Sequence, residues 1–427
     1  MSLANCSTSP GAKDLYDITY ESNKITVIQS VFLMSFWRAG ALLEKDARHY
    51  LGVALNLAQT KALHRVGEGG DDKISKLKRR LWWAIYVRER QCGAALGLPN
   101  RIRDEDCDVA PLAPSDFAVA FASSESEARR STAYIIAMTQ LAVFLGKIID
   151  AGYLPNRTLT NNEREKLRDE LYLWKDQLPS IVLLNNDNVD QPSFQASTLH
   201  LAHNNLLILL HRSAFILDEN GSAETDGNIA LQAAARNSRI VEDMLPYGNV
   251  GHAQIHVITN LFNTLCIHVA HLRRSNGVNR TLAEHRAKLC LMGLQELQKT
   301  WEVTNWVLQL FFRYLDRSTA ARLAMEADDV GFSSAASRSS GSVSQQTPKP
   351  TPNDGIAPQA TPSAYLQQHN EFNPWPSTWS MDEANQYLFS QIENDFAFGE
   401  GGVQQWTPED SMSNEALANF VYSNLNG

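Results

Sequence analysis

Apolar residues between positions 73 and 112 recur at spacings of three and four. They form three stripes: Ile74, Leu77, Leu81 and Ile85; Trp82 and Tyr86; Trp83 and Val87. Because three stripes cover most of a helical circumference, this pattern predicts a helix packed inside a bundle, with Lys73, Lys76 and Arg80 on its polar strip. Gly97 and Pro99 supply the residue types that end a helix and reverse the chain, so we expect a turn there.

Helical spacing continues along most of the chain. It marks segments 25–36, 44–63, 134–149, 160–178, 193–217, 229–245, 255–272, 282–297 and 301–315, and Gly40 breaks the first of these helices. Thr160 with Glu163 three residues later is typical of a capping box at the start of one of them. Alternating, strand-like segments do not occur between these helices, and the spacing has no fixed repeat period. We therefore predict an all-α fold, a multi-helix bundle of nine or ten helices.

The composition changes after the last predicted helix. We divide the chain into a disordered leader (1–11), a helical domain (12–325), a Ser/Pro/Gly-rich linker (326–364) and an acidic, aromatic tail (365–427). From residue 351 onward the chain has ten acidic and no basic residues, and the first 350 residues carry a net charge of +1. The linker composition cannot bury enough apolar surface to fold, so we predict that it and the tail are disordered.

Aromatic residues are unusually dense in the tail for a disordered segment. We interpret the tail as a partner-binding, activation-like segment in which acidic charge keeps the rings solvated. The alternative is an extension without function. The candidate partner-binding residues are Trp375, Trp379, Phe389, Phe396, Phe398 and Trp406.

Cysteine usage and charge bear on the function classes. The five cysteines are scattered, none is paired as C-x2-C, and the number is odd, which favours a reducing compartment over a disulfide framework. The sequence has no signal-peptide pattern and no uninterrupted apolar run long enough to span a membrane. The near-neutral charge of the first 350 residues gives no indication of nucleic-acid binding by this chain alone.

The turn at Gly97 is followed by basic residues and then by a cluster of acidic residues. Arg101 and Arg103 precede Asp104, Glu105, Asp106 and Asp108, with Ile102 and Cys107 between them. We predict that Arg88 and Arg90, near the end of the preceding helix, fold back onto Asp104 and Asp106, since a guanidinium group can pair bidentately with a carboxylate.

Two groups of residues suggest metal chemistry, each with a plainer alternative. Asp104, Asp106 and Asp108 alternate as in a magnesium site for a prenyl diphosphate, but no second carboxylate cluster matches them, so we favour a loop held by arginines. His200, His203 and His211 share one helix, but no nearby Cys or Glu completes a zinc shell, and we favour structural histidines.

A basic cluster lies near the start of the helix that begins at residue 73. Lys76, Lys78, Arg79 and Arg80 are candidates for an import signal or a phosphate contact. Because Leu77 and Leu81 interrupt them, we favour the solvated edge of the helix. A nucleophile with a recognisable base is not evident either, and we do not expect an enzyme.

The segments RRLWWAIYVRER (79–90) and LGLPNRIRDEDCDVAPL (96–112) resemble the central part of the fungal-specific transcription factor domain, the regulatory region of binuclear zinc cluster proteins. Segment 30–40, SVFLMSFWRAG, and the run from Arg90 to Asp108 are most similar to the regulators of cutinase and fatty-acid-utilisation genes. The LLHR segment (209–212) also matches, and the resemblance covers about 12–325. The motif residues are Arg79, Arg80, Trp82, Trp83, Arg88, Arg90, Gly97, Pro99, Ile102, Asp104, Asp106, Cys107 and Asp108.

This resemblance implies a nuclear regulator of transcription whose helical domain controls the tail, with a small apolar ligand between helices as a possible input. It also implies that zinc and DNA contacts belong to a six-cysteine cluster, which no residues of this sequence form. Either such a cluster precedes this sequence, or the protein acts through partners: transcription machinery or full-length family members. Two alternatives stay open: a DNA-blind inhibitor of full-length relatives and, more remotely, an all-α prenyl or terpene-type enzyme.

Overall fold

The computed structural model describes residues 9–36, 47–65, 72–117, 124–154, 157–184, 193–217, 226–301, 303–313, 315 and 317–323. These residues form α-helices, short 3-10 turns and loops, without a β-strand among them, which confirms the all-α prediction. The helices are α1 (Ser9–Asp17), α2 (Lys24–Met34), α3 (Ala47–Thr60), α4 (Lys73–Leu96), α5 (Glu125–Gly152), α6 (Asn161–Asp176), α7 (Phe194–Leu217), α8 (Asp226–Met244), α9 (His256–Arg274), α10 (Gly277–Gln298), α11 (Val303–Arg313) and α12 (Arg317–Leu323).

Helix α4 begins and ends at residues suited to those positions. The Asp72 carboxylate accepts a hydrogen bond from the Ser75 backbone N–H at 2.6 Å, which caps the first turn. Gly97 follows the last turn in the left-handed conformation, with φ of 67°, where a residue with a Cβ would be strained. The predicted stripes are largely buried, but Ile74 is 62% exposed because it lies in the first turn, before α4 reaches the core.

Helix α5 is longer than the sequence pattern predicts. It begins at Glu125, nine residues before the predicted start, because the Ser124 hydroxyl accepts from the Glu127 N–H and two glutamates occupy the first turn. The Thr160 capping box of α6 is confirmed, with the Glu163 carboxylate accepting from the Thr160 N–H at 3.1 Å. Helices α1 and α12 were not predicted, and α1 begins at Ser9, within the segment predicted to be a leader.

The core consists of three clusters of buried apolar side chains. The first joins α2, α3 and α4 around Trp82 and Tyr50. The second joins α5, α6, α7 and α8 around Leu171 and Leu207, and the third joins α8, α9, α10 and α11 around Leu261. Helix α7 packs against α5, α8 and α9, so it connects the second and third clusters.

Helix α5 is long and apolar enough to span a membrane by length and composition alone. In the fold, 44% of its most apolar window is buried, and α5 packs against α4 and α7. We therefore interpret α5 as a core helix of the bundle. The predicted linker (326–364) and tail (365–427), with all six candidate aromatic residues of the tail, lie outside the described residues.

Candidate functional site

Four charged residues of α4 are buried among the apolar stripes. Arg79, Arg88, Glu89 and Arg90 each have a relative exposure below one tenth. We call these residues and their partners the α4 charge network. A buried charge is costly unless it is paired and hydrogen-bonded, so the partners of these residues determine how the loops beside α4 are held.

Arg90 holds the loop that follows α4. Its guanidinium donates to the Asp104 carboxylate at 2.8 Å and to the Ile102 carbonyl at 3.0 Å. The Tyr86 hydroxyl donates to the same Asp104 oxygen at 2.8 Å, and the Arg90 guanidinium lies over the Tyr86 ring. Burial, the largest cause, raises the pKa of Tyr86, so this hydroxyl stays a donor. The predicted pairing of Arg90 with Asp104 is present.

The predicted pairing of Arg88 is wrong. Its guanidinium donates to the Ser35 carbonyl at 3.1 Å and lies over the Phe36 ring at 4.5 Å, so its described contacts run to the end of α2. Asp106 lies instead beside Arg103, at 3.8 Å, and its side chain is 60% exposed. Arg88 therefore ties α2 to α4, and the loop after α4 is held by Arg90.

Glu89 is fully buried between two arginines. Its carboxylate accepts from the Arg101 side chain at 2.9 Å and lies 4.0 Å from Arg48. Arg48 in turn donates to the Pro99 carbonyl at 2.8 Å, and Arg101 donates to the Arg48 carbonyl at 3.2 Å. This part of the network joins α3, α4 and the turn at Pro99.

Arg79 pairs with Asp116 in a buried contact at the other end of α4. The Asp116 carboxylate also accepts from the Ala113 backbone N–H at 2.8 Å. The prediction that Arg79 belongs to a solvated helix edge is therefore wrong, because the segment after residue 108 returns over α4 and covers it. Arg80, one residue along, is half-buried.

The other motif residues are structural parts of the same region. Trp82 is fully buried, and the half-buried Trp83 donates its indole N–H to the Ala110 carbonyl at 2.9 Å. Cys107 directs its thiol toward the Arg103 carbonyl at 3.3 Å, and burial, the largest cause, raises its pKa to about 11. This thiol is therefore protonated at neutral pH and a poor nucleophile.

The three aspartates of the predicted magnesium alternative are separated by arginine partners. Asp104 lies beside Arg90, Asp106 beside Arg103, and Asp108 beside Arg65 at 3.6 Å. This arrangement fits the interpretation that arginines hold the loop. Within the described ranges, no group of three or more His, Cys, Asp or Glu side chains is placed to hold a metal.

The histidines of α7 lie in the protein interior. His200, His203 and His211 are all buried, and the His203 ring stacks on Trp174 with centroids 5.7 Å apart. Burial, the largest cause, lowers the pKa of His200 to about 4 and of His203 to about 3, so both rings are neutral at pH 7.

A cavity of about 40 Å³ lies where α4, α5, α7 and α9 meet, next to the α4 charge network; we call it the central cavity. Its wall includes Ala94 of α4, Met138 of α5, Leu206 of α7, and His256 and Asn260 of α9. Both α9 residues are buried, and burial followed by the charge of Arg88 lowers the pKa of His256 to about 4. The imidazole is therefore neutral at pH 7.

Sequence reasoning missed several of these residues. Glu89 stands between Arg88 and Arg90 in sequence, after the apolar run from Leu81 to Val87, and that pattern is a signal for buried pairing. Asp116 and the central cavity gave no comparable signal, because their partners are distant in sequence.

Comparison with known proteins shows what this chain is similar to. The fungal specific transcription factor domain matches residues 7–176. Cutinase transcription factor 1 alpha of Fusarium vanettenii is 28% identical over 337 residues, which is 72% of this chain and 36% of the relative. Cutinase transcription factor 1 beta of the same fungus is 23% identical, over 86% of this chain and 47% of the relative. The acetamidase regulatory protein of Aspergillus fumigatus is 28% identical, over 70% of this chain and 39% of the relative.

The chain thus spans between about a third and a half of the length of these relatives. No solved structure matches it. The α4 charge network lies wholly within the matched residues, and the motif that predicted the family is the one that builds this network. Over residues 7–176, the chain matches the fungal specific transcription factor domain.

Proposed function

We propose that this protein regulates transcription in the nucleus, and that its helical domain controls an activation-like tail. The observation that carries this proposal is the family domain at residues 7–176, in a chain whose similar relatives are named transcription factors and regulatory proteins. The partners are transcription machinery or full-length family members. DNA contact would come through a zinc cluster, and we expect zinc only in such a cluster.

The α4 charge network supports a scaffold role for the helical domain. Its carboxylates contact arginines, and the carboxylate of Asp116 also holds a backbone N–H. Buried polar networks of this kind fix the relative positions of the elements they join, and here these are α2, α3, α4 and the following loop. A domain with such a scaffold can relay a change at one helix to the others.

The tail is tested by fusing residues 351–427 to an unrelated DNA-binding domain and measuring transcription of a reporter gene. We expect activation, and its loss when Trp375, Trp379, Phe389, Phe396, Phe398 and Trp406 are replaced by alanine. The matched control replaces six serines or threonines of the same segment by alanine. A fusion that is present at normal levels and does not activate would contradict the role of the tail.

We propose no catalytic role for the aspartates after α4. The full chain, incubated with Mg²⁺ and a prenyl diphosphate, should release no product above background. Turnover that disappears in Asp104→Ala would contradict the proposal.

A fluorescent fusion of the chain, expressed in a fungal cell with full-length relatives, should accumulate in the nucleus.

A further inference from the structure

Two polar side chains in the wall of the central cavity have buried polar atoms without a described partner. The Asn260 amide nitrogen and both ring nitrogens of His256 make no hydrogen bond to any described residue. Both residues are more than nine-tenths buried, and both line the cavity. Buried polar atoms in folded proteins are nearly always paired, so atoms left unpaired at a cavity point to an occupant.

Nearby asparagines show that the same helices satisfy buried amides elsewhere. Asn204 of α7 donates to Asn237 of α8 at 3.0 Å, and Asn237 donates to Thr264 of α9 at 2.8 Å. At the edge of the cavity, Asn263 donates to Asn205 at 2.9 Å. The Asn260 amide therefore differs from the neighbouring amides of α7, α8 and α9, whereas unpaired ring nitrogens like those of His256 also occur at His200 and His203 of α7.

We propose that the central cavity is a binding site for a small uncharged molecule that carries both a hydrogen-bond acceptor and a donor beside a short apolar group. Asn260 and the imidazole N–H of His256 offer donors, and the second ring nitrogen of His256 offers an acceptor. Most of the remaining wall is apolar, including Met138, Leu141 and Leu145, and Gln91, Asn205 and Thr259 add uncharged polar side chains.

Volume and charge narrow the class of ligand. One water needs about 10–15 Å³ of such space, so about 40 Å³ accepts a molecule of about three to four heavy atoms. The wall residues include no Asp, Glu, Lys or Arg, and the imidazole is neutral, so an ion would lose its hydration without a counter-charge in direct contact. Short primary amides have the required size and groups.

The biological role of this site rests on the proposed regulatory function. It lies against α4, the helix that carries the charge network, and contacts helices from all three core clusters. An occupant would therefore contact α4, α5, α7 and α9 at the same time and hold the four helices together at one point. Binding is measured without any transcription, so failure of this inference and failure of the regulatory proposal are distinguishable.

Binding is tested on the full chain with methyl-labelled methionine by NMR. Met138 lines the cavity, and its resonance is assigned by Met138→Leu. The probes are acetamide, acetate and acetone, which have the same number of heavy atoms and differ in charge and in the donor. We expect acetamide to shift the Met138 resonance saturably, acetone to bind at least tenfold more weakly, and acetate to cause no saturable shift.

Two kinds of variant separate the site from nonspecific solute effects. Ala94→Leu fills the cavity and should abolish the shift, whereas the matched Ala95→Leu, at the exposed neighbouring position, should leave it unchanged. Asn260→Leu and His256→Phe should weaken binding at least tenfold, with melting temperatures equal to or above that of the unchanged protein, because each removes an unpaired buried group.

The proposal is overturned if acetamide gives no saturable shift, which would mean that the cavity holds water only. It is also overturned if the shift persists in Ala94→Leu. A clear drop in melting temperature for both Asn260→Leu and His256→Phe, with binding retained, would assign these residues to folding alone.

Discussion

The Arg90 guanidinium donates to the Asp104 carboxylate at 2.8 Å, and the two partners differ greatly in their exposure to solvent. The Arg90 side chain is 1% exposed, whereas that of Asp104 is 46% exposed. Asp104 can be hydrated if Arg90 is removed, but Arg90 cannot be hydrated where it lies. Removing the charge of Asp104 should therefore cost more stability than removing the charge of Arg90.

We predict that Asp104→Ala lowers the free energy of unfolding by about 3 kcal/mol, because it leaves a buried cation without its counter-charge. Arg90→Met should cost only about 1 kcal/mol, since it removes the buried charge and keeps apolar volume. The double variant Arg90→Met with Asp104→Ala should be close to Arg90→Met alone. Urea unfolding of the four proteins measures these values.

Asp106→Ala is the matched control for this cycle. Its carboxylate is exposed and 3.8 Å from Arg103, so the change should stay within about 0.5 kcal/mol of the unchanged protein. A double variant no more stable than Asp104→Ala would show that the cost does not come from the buried charge of Arg90.

Gly146 of α5 gives a second test of the same arginine. A Cβ at this position would lie 2.9 Å from the Arg90 Cζ atom, closer than a carbon contact allows. We predict that Gly146→Ala destabilises the protein by about 1–2 kcal/mol, because it displaces Arg90 from Asp104.

In the Arg90→Ala background, the sign should reverse. The same glycine change should then stabilise the protein by about 1 kcal/mol, the ordinary gain of alanine over glycine within a helix. Thermal unfolding of the four proteins gives the coupling between the two positions. Equal effects of Gly146→Ala in both backgrounds would mean that Arg90 does not need the space beside Gly146.

The buried histidines predict a loss of stability in acid. Burial is the largest cause of the lowered pKa of His256, to about 4, and of His203, to about 3. Because these values lie below the ordinary value of about 6.5, the unfolded chain binds more protons from about pH 6.5 downward. The contribution of each ring to stability is complete above pH 6.5 and is lost as the pH falls to the folded pKa.

We predict that the double variant His203→Phe with His256→Phe loses less stability than the unchanged protein as the pH falls. Each ring removed should reduce the slope of unfolding free energy against pH by about 1.4 kcal/mol per unit between about pH 6 and 4.5. Phenylalanine keeps the stack on Trp174 and adds no titrating group. Unfolding curves at pH 4.5, 5.5, 6.5 and 8 measure the slope, and an unchanged slope would mean that these rings are hydrated in the folded state.

The sequence predicted α4 and its pairing with Asp104 but misplaced Arg88. Successive residues of an α-helix are rotated by about 100°, so Arg88 and Arg90 are about 200° apart around α4 and cannot both reach one loop. Arg90 faces the loop after α4, and Arg88 faces the end of α2. This correction was available from helical geometry alone.

Other features could not be predicted because several distant segments create them. Asp116 meets Arg79 only because the chain returns over α4, which no local spacing indicates. The central cavity is lined by residues of four helices, and these residues lie between positions 91 and 260 in sequence. Periodicity identifies which face of a helix is buried, but it does not identify which buried polar groups will find partners.

The central claim is that the helical domain controls the tail. The most direct measurement compares two fusions to an unrelated DNA-binding domain at equal protein levels: residues 351–427 alone and the full chain, each with a reporter gene. We predict that the full chain gives a different output from the tail alone, and that Arg90→Met with Asp104→Ala shifts the full-chain output toward that of the tail. Equal output from the tail, the full chain and the variant would contradict the claim.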